Sequence, residues 1–310
     1  MTNGAPFPYP GERMRIRATV AAVSGALAVS AVAVPAAQAD DSAASYRAAV
    51  AKVRAADSTR APGKPYDLNV SFSDVKIAKT VKVGTTQHVA TTVTYKLTHG
   101  ADVNIAAADF VTEVFIYRGS YPGWDNKLQG DKPAKCTATS PTTANCKGTI
   151  DVYPGAHELR NTDAGTWRAA AEATAFNGQN PAGEVFDITK VGYAAKSGIG
   201  TTLMQRTSKL TVDATPEPVK KGKPITITGK LSRANWDRGT YNGYVQQPVN
   251  LQFRKNGSNT YTTVKTVKTN ETGNLKTTVT AAQDGYFRFT FAGTTTTPAA
   301  TAAGDFVDVR

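Results

Sequence analysis

The sequence predicts an all-β protein of two tandem β-sandwich domains, preceded by a cleaved export signal and one short helix. Three observations carry this. From Tyr66 onward apolar and polar residues alternate with period two, in short runs punctuated by Gly, Pro and Asn, the pattern of half-buried strands joined by turns. A helical period appears only once, ahead of Tyr66. Residues 40–310 exceed one ordinary domain and suit two of about 100–150 residues each.

The export signal comes first. Arg13, Arg15 and Arg17 precede an Ala- and Val-rich run from Ala18 to Val34, and Ala37-Gln38-Ala39 places small residues at the −3 and −1 positions. Residues 1–39 therefore read as a secretory signal peptide cleaved after Ala39. The run holds Thr19, Ser24, Gly25 and Ser30 and falls short of the roughly 20 apolar residues that a membrane span needs. No Cys follows Ala39 to take a lipid, Arg13-Met14-Arg15 is not a twin-arginine pair, and Asp305 to Arg310 shows neither an apolar tail nor a wall-sorting pattern. The expectation is a secreted, extracellular protein with no membrane attachment after cleavage. Met14 offers an alternative start that leaves the mature chain unchanged.

Cleavage takes the chain from 36 basic and 24 acidic residues to 33 and 23. The excess lies in the C-terminal half: residues 209–310 hold 14 basic and 7 acidic groups, against 14 and 13 in residues 66–208. Outside the cell such a surface suits anionic wall polymers or acidic glycans and argues against nucleic acid, although a solvated lysine-rich face reads the same way.

Residues 40–65 read as a short helix and linker. Tyr46, Val50 and Val53 fall on one face of a helix over Asp41 to Ala56, with Ser42 as its cap, and Pro62-Gly63-Lys64-Pro65 breaks the chain. So narrow a stripe favours a loose arm over a docked one.

Residues 66–208 form the first domain, with strands expected at Tyr66 to Val75, His88 to Thr98, Phe110 to Tyr117, Cys146 to Tyr153, Thr166 to Phe176, Val185 to Val191 and Thr201 to Arg206. The only cysteines, Cys136 and Cys146, are close in sequence in an exported chain and are expected to form a disulfide that staples a loop ahead of a strand.

Residues 209–310 form the second domain. Alternating runs fall at Lys209 to Ala214, Pro224 to Leu231, Pro248 to Lys255, Tyr261 to Thr269, Leu275 to Ala281, Tyr286 to Ala292 and Asp305 to Arg310, and seven short strands in about 100 residues suggest an immunoglobulin-like sandwich. The inward positions are Leu210, Ile225, Ile227, Leu231, Val249, Leu251, Phe253, Val264, Val267, Leu275, Val279, Phe289 and Phe306, among others. Asn270 to Asn274 supplies a turn. The halves share a late motif, Asp163-Ala164-Gly165-Thr166-Trp167-Arg168 and Asp284-Gly285-Tyr286-Phe287-Arg288, which makes Trp167 and Phe287 the expected core aromatic anchors of two duplicated domains. Only Gln205 to Ser208 separates the two, so a limited interdomain angle is expected.

Leu210-Thr211-Val212-Asp213-Ala214-Thr215-Pro216, followed by Lys221-Gly222, Ile225-Thr226-Ile227-Thr228-Gly229 and the late Asp284 to Arg288 motif, resembles bacterial immunoglobulin-like modules, most closely those of secreted actinobacterial-type proteins. The resemblance covers roughly residues 207 to 310. It implies a non-catalytic spacer, adhesive unit or carrier of carbohydrate and protein contacts, and it brings no catalytic residues.

The candidate chemistry is correspondingly sparse. His88, His99 and His157 show no ligand spacing and sit in no catalytic motif, so no metal or catalytic residue is assigned. Glu113 and Asp151 could meet across strands, with a solvated pair as the plainer reading. Asp237 to Asn242 and Asp125-Asn126 are oxygen-rich loops that make structural calcium an alternative, but they lack the dense acids of a dedicated loop. For recognition, Trp124 in Arg118 to Asp125 and Trp236, Tyr241 and Tyr244 in Ala234 to Tyr244 read as aromatic platforms for a glycan or a secreted protein, or else as plugs at the sandwich ends. The function these readings support is a secreted, non-enzymatic binding or structural module of the extracellular or wall space. A calcium-binding secreted protein and a hydrolase accessory are the alternatives.

Overall fold

A computed structural model describes residues 37–58, 63–180 and 186–310. Residues 1–36, most of the segment expected to be an export signal, lie outside them. The described chain is one helix followed by two immunoglobulin-like β-sandwiches. No helix among the described residues is long and apolar enough to cross a membrane.

The first sandwich contains β1 (Tyr66–Asp67), β2 (Val70–Ile77), β3 (Thr80–Val83), β4 (Val89–His99), β5 (Phe110–Gly119), β6 (Trp124–Leu128), β7 (Lys135–Ser140), β8 (Thr143–Val152), β9 (Gly165–Ala175) and β10 (Gly192–Arg206). One sheet runs β2-β4-β8-β7; the other runs β1-β10-β9-β5-β6, with β3 also on β10. The first strand is shared between them: β1 and β3 lie parallel to β10, while β2 crosses over to pair antiparallel with β4. Alternation places Phe72, Val93, Leu97, Val114, Ile116, Ile150 and Trp167 between the sheets, all buried.

The second sandwich contains β11 (Ser208–Leu210), β12 (Asp213–Thr215), β13 (Pro224–Asn235), β14 (Thr240–Gly243), β15 (Pro248–Lys255), β16 (Thr262–Lys268), β17 (Asn274–Thr280), β18 (Gly285–Phe291), β19 (Ala300–Thr301) and β20 (Asp305–Val307). β13 is long enough to carry β12 and β17 on its first half and β11 and β14 on its second. The facing sheet is β16-β15-β18, with β19 and β20 on β18. Ile225, Ile227, Leu231, Val249, Leu251 and Phe289 fill the space between. In the turn before β17, Gly273 takes φ +81° and a Cβ there would meet the Leu231 carbonyl oxygen at 2.5 Å, so the turn requires glycine.

Several expectations are corrected. The helix α1 spans Ala37–Ser58, so it starts ahead of Ser42, and it is not a loose arm. Ala49, Val50 and Val53 are buried against Phe176, Val191 and Tyr193, and Tyr46 meets Phe176 edge-on at 5.7 Å. The stripe is narrow, but it is completed by residues more than 100 positions away, in β10 and just beyond the ends of β9 and β10. Of the strand expected at Val185 to Val191, Val185 lies outside the described residues, Ile188–Lys190 is a short 3₁₀ turn, and the strand proper starts at Gly192. Cys136 and Cys146 do form a disulfide, but they sit directly opposite each other on the paired strands β7 and β8 and do not staple a loop. Val264, expected inward, is 45 % exposed: the register shift between Leu251 and Gln252, opposite Lys265 and Thr263, leaves it as the extra residue of a bulge on edge strand β16.

Candidate functional site

The outward face of the β1-β10-β9-β5-β6 sheet concentrates the chemistry. On β5 the outward series includes Glu113, Phe115 and Tyr117; on β9 it includes Ala170, Glu172 and Thr174. Register sets Glu113 directly opposite Glu172. Two carboxyls facing each other mid-sheet repel unless they are compensated, and three partners supply the compensation. Arg54 of α1 makes a bidentate pair with Glu172, its Nε donating at 2.9 Å. Tyr193 Oη donates to the same carboxylate at 2.9 Å. Lys127 Nζ of β6 lies 3.3 Å from Glu113 and 3.6 Å from Glu172. Glu172 is 2 % exposed and Arg54 11 %, so the helix closes over the pair.

The two carboxyls respond in opposite directions. Burial, reinforced by Glu172 and only partly offset by Lys127, pushes the Glu113 carboxyl up to about 7. Burial opposes ionisation of Glu172 too, but Lys127 and Arg54 outweigh it and hold that carboxylate below its usual range. Burial and the Glu172 charge push the Tyr193 phenol upward.

Beside this network, α1 and the sheet enclose a cavity of about 230 Å³, lined by Tyr46, Arg54, Glu113, Lys127, Glu172 and Thr174 among others. On the same face Phe115, Tyr117, Tyr121 and Trp124 form an aromatic cluster with ring separations of 5.6–6.5 Å. The Arg54 guanidinium stands 5.0 Å from the Trp124 centroid and Lys127 Nζ 4.0 Å from that of Phe115, so the two cations serve both halves of the face.

The residues expected from sequence separate into distinct places. Trp124 is half-buried at the start of β6, within the cluster just described. Trp236 is no platform: it is fully buried, packs with the core of the first sandwich, and donates from Nε1 to the Gly84 carbonyl at 2.8 Å. Ala234 and Tyr241 join that core, and Asn161 bonds Asn235, Trp236 and Asp237, so the β13–β14 turn plugs the base of the other domain. Tyr241 Oη meets Thr207 Oγ1 at 2.7 Å, while Tyr244 packs edge-on against Phe291 at 5.7 Å beneath the Arg233 guanidinium. These three aromatics serve the junction and the second core. The anchors Trp167 and Phe287 are buried on β9 and β18.

Glu113 and Asp151 do not pair, because Asp151 is held by His88 at 2.8 Å, by Thr149 and by the Asp131 amide on the other side of the sandwich. His88, Asp131 and Asp151 bring one ligating atom each within 4.8 Å of one another, a grouping that sequence spacing concealed. The oxygen-rich loops are otherwise engaged: the Asp237 carboxylate accepts from the Asn161 amide at 3.1 Å, and Asn126 Nδ2 donates to the Glu158 carbonyl at 2.9 Å.

Sequence reasoning missed Arg54, Lys127 and Glu172. A signal existed. Arg54 continues the helical stripe of Tyr46 and Val50 at the next i+4 step, and Glu172 interrupts an alanine-rich strand that is flanked on both sides by other strands.

No protein-family model and no curated protein matches the chain. Among solved structures, the ectodomain of mouse nectin-like molecule 4 is similar at 12% identity with a TM-score of 0.23, over 78% of this chain and 65% of that one. The Escherichia coli adhesin FdeC is similar at 15% identity with a TM-score of 0.28, over 76% and 66%. The Yersinia pseudotuberculosis adhesin InvE is similar at 13% identity with a TM-score of 0.22, over 77% and 58%. This chain thus spans about two thirds or less of the length of each, and no activity or partner passes from them to it.

Proposed function

We propose that this is a secreted, non-enzymatic binding module of the extracellular or wall space, of the actinobacterial type its sequence resembles, and that it contacts a glycan through the outward face of its first domain. One observation carries the reading. Of the four aromatics expected to bind, Trp124 alone lies in a surface cluster, beside half-exposed Tyr121 and over two fixed cations. Flat rings next to hydrogen-bonding groups suit the C–H faces and hydroxyls of sugars. The basic N-terminal segment and the disulfide support export to an oxidising compartment.

The arrangement of the carboxyls supports binding over hydrolysis. A glycosidase holds its pair about 5–9.5 Å apart to admit a water or a sugar carbon. Glu113 and Glu172 instead stand directly opposite each other on paired strands and are covered by Lys127 and Arg54.

The test is co-sedimentation of residues 40–310 with insoluble polysaccharides and cell-wall sacculi at low and high salt. Wild-type retention that resists salt and falls at least tenfold in Trp124→Ala supports the aromatic face. Retention that salt abolishes would move the contact to the lysines of the second domain. A protein that stays wholly in the supernatant would end the glycan reading.

A further inference from the structure

The other sheet of the first sandwich carries a charge pattern that its own packing does not use. On β2-β4-β8-β7, Phe72, Val93, Tyr95, Leu97, Ala144 and Cys146 belong to the core, so the positions between them face outward. Register then lines up Lys76 of β2, Thr94 of β4, Lys147 of β8 and Lys135 of β7 as one row of directly opposed residues. The neighbouring row, in the same strand order, is Ser73, Lys96, Asn145 and Thr137. With neighbouring strands ~4.7–4.9 Å apart, each row crosses about 15 Å of sheet. All of these residues but Ser73 line an open depression of about 860 Å³.

Charge on this face is segregated. Residues 66–208 hold 14 basic and 13 acidic groups, yet the depression is lined by four lysines and one acid, Asp74. Among the described residues none of the four ammonium groups pairs with a carboxylate. Lys135 and Lys147 stand directly opposite each other, an arrangement in which like charges repel. The next pair along the same two strands is Cys136 and Cys146, whose disulfide fixes the register that keeps those lysines together. A face whose repulsion is held in place by a cross-link, with a single acid to relieve it, is complementary to anions brought from outside.

The layout of the groups sets the form of the partner. Cations spread over two rows and four strands suit a chain of repeated charges better than one small ion, because each contact on a chain raises the effective concentration of the next. The neutral side chains among the lysines set its chemistry. Thr94, Thr137 and Asn145 each both donate and accept hydrogen bonds. A chain of phosphates offers them acceptors alone, whereas a chain of sugars offers hydroxyls that do both.

We infer that this sheet face binds a linear acidic polysaccharide, with its carboxylates on Lys76, Lys96, Lys135 and Lys147 and its hydroxyls on the Thr and Asn side chains among them. Trp124 lies in the other sheet, so this contact stands or falls independently of the aromatic surface.

The test is fluorescence anisotropy of labelled polygalacturonate titrated with residues 40–310, with polyphosphate of matched charge as the comparison chain. Saturable binding of polygalacturonate, tighter than that of polyphosphate, is expected. It should weaken about tenfold or more between about 50 and 200 mM salt, as counterion release from a few lysine contacts requires. Combining Lys76→Gln, Lys96→Gln, Lys135→Gln and Lys147→Gln should weaken binding about tenfold or more, while relief of the lysine repulsion leaves the unfolding midpoint unchanged or higher. Lys220→Gln, Lys221→Gln, Lys223→Gln and Lys230→Gln together remove the same charge from the second domain and should weaken binding about twofold or less. Trp124→Ala should leave it unchanged. No saturable binding at low salt, equal affinity for polyphosphate, an equal loss from the second-domain variant, or a loss in Trp124→Ala that the first-domain lysine variant does not share would overturn the inference.

Discussion

Trp236→Ala tests whether the second domain is wedged into the first. The indole is fully buried and surrounded by residues of the first sandwich's core, although it belongs to the chain of the second. Removing a buried Trp side chain to Ala costs about 3–5 kcal/mol, and the lost Nε1 bond to the Gly84 carbonyl adds about 1 kcal/mol. A loss of about 4–6 kcal/mol is a large part of the ~5–15 kcal/mol that holds a domain together. For a domain of this size it should lower the unfolding midpoint by about 10–20 °C. Trp236→Phe keeps most of the packing and drops the donor, so its cost should be about 1–3 kcal/mol. Calorimetry is the assay. The unusual expectation is where the loss falls: the transition of the first sandwich should drop, although the mutated residue lies in the second. A Trp236→Ala protein within about 1 kcal/mol of wild type would refute the wedge and return the indole to the surface.

Other outcomes follow from the same contacts. Arg54→Ala leaves the Glu172 carboxylate buried without its bidentate partner and should cost about 3–5 kcal/mol, with amide protection in α1 collapsing first by hydrogen exchange; unchanged protection would show that the helix does not depend on this pair. The Glu113 carboxyl, raised to about 7 in the fold from an ordinary value near 4.5, favours the native state when protonated. Its contribution is therefore full below about pH 4.5 and is lost as pH rises through about 7, whereas Glu172, shifted down, loses its contribution only on strong acidification. Urea midpoints should fall between pH 5 and pH 8 in wild type and fall less in Glu113→Gln; equal slopes would dismiss the shift. Replacing both cysteines with Ser removes the covalent tie across the β7–β8 hairpin and should cost about 3 kcal/mol in thermal unfolding, and no change would mean that the strand pairing alone holds the hairpin.

Much of the architecture is local and was therefore legible. Whether a strand forms depends on period-two alternation and on turn residues within a few positions, and β15, expected at Pro248 to Lys255, lies there in the structure. The same holds for the disulfide and for the buried anchors Trp167 and Phe287, whose spacing and strand positions are written along the chain. Alternation also identifies which side of β9 is apolar. It does not say what covers the other side.

That second question belongs to tertiary structure. A Trp beside turn residues has the same sequence whether it faces solvent as a platform, plugs the end of its own sandwich, or fills a neighbouring domain, as Trp236 does. The narrow stripe of α1 looked too thin to dock because its partners Phe176, Val191 and Tyr193 lie far along the chain. Glu113 and Glu172 are 59 positions apart, and only the register of β5 against β9 makes them a pair that needs Arg54 and Lys127. Sequence by itself determined the strands, their apolar faces and the cross-link, because those depend on neighbours. The covered face, the wedge and the cavity were decided by packing, because the free energy of burying a side chain depends on the surface that meets it, and that surface is assembled only when the chain has folded.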